Sequence, residues 1–151
     1  MNTEFGPTYK VFQNREKVAA CFQLVTAEAG YETIRIELTT MKDNNAQWDE
    51  KWRVDIAMKE QHSVASVLSG FRQCCEFKYH GTKKNNSYSL SRGASGVTLT
   101  LHHAGPKRSI LLDGNDTFWV AAMVIDVISK NAPKGFPYNQ ILPLLQRTQF
   151  T

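Results

Sequence analysis

Between Glu76 and Asp113 the chain carries no carboxylate, yet residues 78–108 hold Lys78, Lys83, Lys84, Arg92, Lys107 and Arg108 together with His80, His102 and His103. Cations without interleaved acids suit a polyanion, because they hold phosphates while aromatic faces stack bases. Phe12, Trp48, Trp52, Tyr79 and Tyr88 are the candidate stackers. Trp48 lies in the polar segment "MKDNNAQWDE" and Tyr79 follows Lys78 in a short basic segment, so both are expected to be more exposed than Trp52. Lys17, Arg35, Lys51 and Arg53 add cations in the first half, and His102 shares an uncharged strand face with Thr98 and Thr100. The plainer alternative is a set of solvated loops that happen to be lysine-rich.

Residues for covalent or metal chemistry are harder to assemble. There is no Gly-rich phosphate loop, no G-x-S-x-G, no H-E-x-x-H and no close carboxylate pair on a shared strand face. His102 and His103 alternate faces, so one at most points into any single site. Cys74, Cys75, His80, His102 and His103 lack zinc-ligand spacing. Cys21, Cys74 and Cys75 make an odd count with a vicinal pair, which reads as reduced thiols. The expectation is a non-enzyme with no cofactor, no metal and no small-molecule substrate.

The elements that must position these side chains follow from hydrophobic periodicity. Residues 9–26 alternate, with Val18, Ala20, Phe22 and Leu24 on one face; residues 33–39 repeat the pattern through Ile34, Ile36 and Leu38. Trp52, Val54, Ile56 and Met58 form a third such series. The spacing then changes to three and four at Val64, Val67, Leu68 and Phe71, predicting a helix that ends near Gly70. The second half restarts with "SYSLSR", "GVTLTLHH" and "RSILLD", placing Lys83 to Asn86 in one turn and Lys107 with Arg108 in another. A second helix follows from about "DGNDTF", capped by Asn115 or Asp116, to Asn131.

Strands then helix, twice, predicts a pseudo-twofold α+β domain with antiparallel sheets, its halves at about residues 9–72 and 77–131. With 151 residues, 42% hydrophobic and 21% charged, one globular domain over residues 1–131 and a tail over 132–151 are expected. The tail's prolines argue against one long helix but allow a short packed turn through Ile141, Leu142, Leu144 and Leu145. In "FWVAAMVIDVI" only Asp126 is charged, so the second helix needs cover on most sides. Phe118, Trp119, Ala122, Val124 and Ile125 are therefore expected at an interface between copies. Residues 118–128 are too short a run to cross a bilayer, so no membrane is expected. No signal or transit peptide is visible, which predicts an intracellular setting such as cytoplasm, nucleoid or organelle matrix.

"TYKVFQNREKVAACFQLV" resembles the opening strand of the Whirly family, with "EKVAAC" in place of its "KGKAAL"-like element; acidic Glu16 stands where a second lysine would be. "QWDEKWRVDIAMKEQHSVASVLSG" is similar to the family's strand-into-helix segment. "QCCEFKYHG" with "NNSYSLSRGASGVTLTLHH" is similar to the region opening the second half of the Whirly and kinetoplastid guide-RNA-binding proteins. The resemblance covers residues 9–131. It implies two packed four-stranded antiparallel sheets with two helices, a homotetramer assembled through helices, and binding of single-stranded DNA or RNA along the sheets. It also places Lys17 in the basic opening motif. Single-stranded DNA binding in replication, recombination or repair is the leading expectation; RNA binding or annealing, and a protein-interaction scaffold with no nucleic-acid ligand, are the alternatives.

Overall fold

A computed structural model describes residues 7–134 and 136–150. Residues 1–6 of the expected domain, and Gly135 and Thr151 of the expected tail, lie outside the described residues. The chain runs β1 (Thr8–Gln13), β2 (Val18–Thr26), β3 (Glu32–Lys42), β4 (Asn45–Ala46), β5 (Trp52–Asp55), α1 (Gln61–Leu68), β6 (Cys74–His80), β7 (Asn86–Arg92), β8 (Val97–His103), β9 (Lys107–Leu112), α2 (Gly114–Asn131) and α3 (Tyr138–Arg147). Short 3-10 turns at Trp48–Glu50 and Met58–Glu60 flank β5.

The first sheet orders β1-β2-β3 with β5 on the far side of β3, all antiparallel; the two-residue β4 merely turns back on the end of β3. The second sheet is β6-β7-β8-β9, also antiparallel. Two sheets of four full strands with segregated helices are the expected α+β architecture, but the segments differ in three places. Residues 9–26 form a hairpin rather than one strand. The turn at 14–17 contains neither Gly nor Pro, and Lys17 closes it by taking φ 55°. Secondly, β6 precedes the three strands expected in the second half. Thirdly, a third helix replaces the short turn expected in the tail.

That helix, α3, forms around Pro143 although the proline ring removes one backbone donor. It is strongly amphipathic: Ile141 and Leu145 are buried while Leu142 and Leu144 stay exposed. Tertiary contacts secure it. Tyr138 Oη donates to Asp126 Oδ1 at 2.6 Å, and Gln149 Nε2 to Ser66 Oγ at 2.7 Å.

Alternation delivers Phe22, Ile34, Ile36 and Leu38 from the first sheet and Leu99, Ile110 and Leu112 from the second into one core, closed by Val64 and Val67 of α1 and Val120, Val124 and Val127 of α2. Each such side chain contributes roughly 1.5–3 kcal/mol by leaving water. The cap of α2 is Asp113, whose Oδ1 accepts from the Asp116 N–H at 2.8 Å, rather than Asn115 or Asp116. Asp116 instead accepts from Tyr9 Oη at 2.7 Å, tying the helix to β1. At the other end, the Asn131 amide accepts from Glu32 N and donates to Glu32 O, both at 2.8 Å, completing the start of β3 in the manner of a ladder partner. Gly96 is fixed by close approach, since a Cβ there would stand 2.0 Å from the Leu112 carbonyl oxygen.

Candidate nucleic-acid interface

The first sheet turns one face to the core and aligns cross-strand rows on the other. One row reads Lys10, Cys21, Glu37, Arg53; the next begins Phe12, Ala19, Thr39. Small side chains on β2 make a trough, so that Ala19, Cys21 and Thr39 are buried on the face turned away from the core. Burial, reinforced by Glu37, pushes the Cys21 thiol up, against the opposing pull of Lys10 and Lys51. Trp48, on the 3-10 turn before β5, lies edge-on to Phe12 with ring centroids 6.4 Å apart and interplanar angle 75°. The Lys10 ammonium sits 5.4 Å from the Trp48 ring centroid. Phe12 is 53% exposed. An ammonium and two aromatic rings thus share a surface a stacked base can reach.

Carboxylates interrupt that surface. Lys51 Nζ lies 3.2 Å from Glu37, and Arg35 makes a forked pair with Asp55 at 2.9 and 3.2 Å. Lys51 and Arg35 therefore meet a phosphate only by sharing or releasing an internal partner, whereas Lys10 and Arg53 form no ion pair among the described residues.

On the second sheet the outward rows are Ser87, His102, Lys107; then Glu76, Ser89, Thr100, Ser109; then Cys74, Ser91, Thr98, Leu111. This is a hydroxyl-rich, nearly uncharged surface with Lys107 at one corner. Lys78 pairs with Glu76 at 3.8 Å across exposed side chains, a contact worth little in water. Lys83 and Lys84 are exposed in the β6–β7 turn, as expected. A crevice of about 560 Å³, lined by Gln13, Arg15, Val18, Thr98, Ser109 and Leu111 among others, marks where the β1–β2 turn meets this sheet. There the Gln13 amide accepts from Leu111 N at 3.5 Å and donates to Leu111 O, joining the two sheets.

A band of aromatic and basic groups runs between the two surfaces. Asn86 pairs with His103 across the ladder, the His103 ring stacks on Trp52 at 5.3 Å, and the Arg108 guanidinium lies 3.9 Å from the Trp52 centroid. Lys51 and the Trp48 turn adjoin Trp52 in sequence. Trp52 of the first sheet thus meets His103 and Arg108 of the second.

Several residues expected at the site serve the fold. Tyr88 is wholly buried and donates to Glu60 Oε1 at 2.8 Å; it is no base platform. Its phenol is pushed far above the ordinary range by burial and by Glu60. Arg92 Nη1 donates to the Val67 and Leu68 carbonyls at 2.7 and 3.2 Å, so its charge completes the C-terminus of α1. Arg108 is a strand residue, not a turn residue like the one expected; its Nη1 crosses to Leu38 O at 3.2 Å and Glu50 O at 3.0 Å. Lys107 likewise opens β9. Among the interface candidates, Phe118, Trp119 and Ala122 are exposed on α2 and Ile125 half-buried, but Val124 is completely buried against its own chain and cannot meet a second copy. Lys10 was missing from the expected set; the signal for it was Lys10 and Phe12 two apart on one strand. The five Cys and His residues considered for zinc do not assemble: among the described residues no three His, Cys, Asp or Glu side chains group as metal ligands. No helix among the described residues is long and apolar enough to cross a membrane.

No protein-family model matches the chain, and no curated protein matches it in sequence. A solved structure does: that of the plant transcriptional regulator PBF-2 superposes with a TM-score of 0.55 at 12% identity, covering 92% of this chain and 89% of that one. The fold is Whirly-like.

Proposed function

We propose that this protein is a non-catalytic binder of single-stranded DNA with little sequence preference, acting in replication, recombination or repair. One observation carries the proposal: the outward cluster of Lys10, Phe12 and Trp48, continued through Trp52 to the β6–β7 turn, offers ring faces and cations together. The Whirly-like fold supports it. Rings accept any base, and the cations contact a backbone common to all sequences. Nothing in the band is shaped as a helix for a major groove, so a duplex is the poorer ligand. The exposed α2 surface of Phe118, Trp119 and Ala122 is the proposed contact between copies in a homotetramer.

Fluorescence anisotropy of a labelled oligonucleotide tests this. With Z phosphates neutralised, log affinity should fall against log salt with slope about −0.7Z, or about −2.8 for Z of about 4. A flat salt response, or duplex bound as tightly as single strand, rejects the proposal. An equal-length RNA that binds more tightly in the same titration reassigns the ligand to RNA; no binding at all leaves a protein-interaction scaffold.

The contributions of rings and cations separate by mutation. Lys83→Ala with Lys84→Ala should weaken binding to all sequences alike and reduce the slope by about 1.4. Trp48→Ala should cost about 1–3 kcal/mol of affinity per stacked base while leaving the slope unchanged, since a stacked ring releases no counterion. Wild-type affinity in Trp48→Ala, or a loss of affinity that comes with a loss of slope, contradicts the stacking role.

A further inference from the structure

Along β6 the inward positions are Cys75 and Phe77, and strict alternation would send Tyr79 inward next. It does not go there. The ladder pairs Phe77 with Tyr88 and then His80 with Asn86, so Lys78 and Tyr79 together oppose Ser87 alone. This one-residue bulge resets the alternation. His80 takes the inward place, its Nε2 2.8 Å from Oε2 of the buried Glu60 and its ring edge-on to Tyr88 at 5.4 Å. Tyr79 is thrown outward, 76% exposed, with φ 68°.

A left-handed backbone is costly for a bulky L-residue, and Asn or Gly would adopt it more readily. Here the conformation is enforced from both sides, by Phe77 packed on Tyr88 and by His80 on Glu60. What the fold holds at that cost is a phenol ring in solvent, next to Lys78 and just before the turn that carries Lys83 and Lys84. Strain kept in place by its surroundings and presenting a side chain outward points to a contact with something else.

We infer that Tyr79 is a second base-stacking station, built independently of the Trp48 cluster, taking an unpaired nucleobase whose flanking phosphates meet Lys83 and Lys84. Glu60 and His80 act as positioning residues for it. This rests on the single-strand reading and adds to it: a strand long enough to run past Trp52 engages two stations, and the second engagement is intramolecular. Short strands engage one.

The test uses the whole chain and unlabelled-sequence variation removed, with oligo-dT in graded lengths from about 4 to about 16 nucleotides, the span of single-strand site sizes for one domain. For the wild type, affinity should climb with length in two stages. Tyr79→Asn, which suits the left-handed backbone but has no ring, should abolish the second stage, weakening the longest strand by roughly tenfold, and should raise Tm by about 2–4 °C through relief of strain. Tyr79→Phe should keep both the second stage and the wild-type Tm. If the wild type binds but Tyr79→Asn matches it at every length, the station is refuted while the Trp48 reading stands. A lower Tm for Tyr79→Asn identifies the ring as a packing group and also refutes it. Failure of the wild type to bind any length refutes both readings.

Discussion

Val124→Asp is expected to lower Tm by roughly 6–20 °C, whereas Ala122→Asp, two residues earlier on the same helix, should leave the fold of the single chain intact. Val124 is fully buried between α2 and the sheets, among Val120, Val127 and the β3 side chains. A carboxylate there has no cation to meet, and an uncompensated buried charge costs about 3–5 kcal/mol, a large fraction of the ~5–15 kcal/mol by which a domain is stable. Ala122 points outward, where substitutions rarely exceed about 0.5 kcal/mol. It stands near Phe118, Tyr138 and Leu142 around a crevice of about 570 Å³. If that surface packs against another copy, as proposed, Ala122→Asp buries its charge only in the assembly. Light scattering should then report smaller particles, with Tm lower only by the stabilisation that assembly itself supplies. An unchanged particle mass would reject a contact between copies at this surface. A Val124→Asp protein that melts normally would contradict the burial on which the helix assignment depends.

The same pair shows where sequence reading succeeds and where it stops. The apolar run of α2 was legible because eleven residues carry a single charge, and strand faces were legible wherever side chains alternate cleanly, as in Ile34, Ile36 and Leu38. Which apolar residues of α2 turn inward was not legible, since periodicity blurs when nearly every position is apolar. The β1–β2 hairpin escaped because its turn, Asn14 to Lys17, has no Gly or Pro, and Lys17 adopts a left-handed φ against ordinary propensity. α3 escaped because a proline penalty was weighed without the docking of Ile141 and Leu145 that outweighs it.

At the candidate site, the turn lysines were visible as exposed cations because nothing apolar surrounds them. The internal bonds of Arg92 and Arg108 were not visible, for a different reason. A guanidinium bonding carbonyls 25 or 70 residues away looks no different in sequence from one awaiting a phosphate. Tyr79 is exposed, as expected, but through the bulge in β6, without which alternation along that strand would face it inward; Tyr88 is buried by the regular alternation of β7. No residue type in "EFKYHG" announces a bulge, and Glu60, which bonds the inward His80 beside it, comes from another element.

Removing that carboxylate is the second change with a large expected effect. Glu60 is 3% exposed and accepts from three donors: Tyr88 Oη at 2.8 Å, the Ala57 N–H at 2.9 Å and, through Oε2, His80 Nε2 at 2.8 Å. Burial pushes its pKa up, but hydrogen bonds from His80, Ala57 and Tyr88 outweigh burial and hold it below the ordinary carboxylate value. Glu60→Ala leaves the wholly buried Tyr88 hydroxyl without its acceptor and His80 without its anchor. The expected cost is about 3 kcal/mol, or a Tm lower by roughly 6–12 °C. Glu60→Gln retains an acceptor for Tyr88 and should lose less. Because the folded-state pKa lies below that of the unfolded chain, the ionised carboxylate contributes stability fully above the unfolded value of about 4.3 and loses it as pH falls through the folded value. The gap in Tm between wild type and Glu60→Gln should therefore be constant near neutrality and narrow below about pH 4. A gap that stays the same on acidification would mean that shape, not charge, is what Glu60 supplies. Glu60→Ala also removes the partner that holds His80 inward beside the bulge, so it should weaken long oligonucleotides more than short ones at neutral pH, at temperatures where the protein is still fully folded.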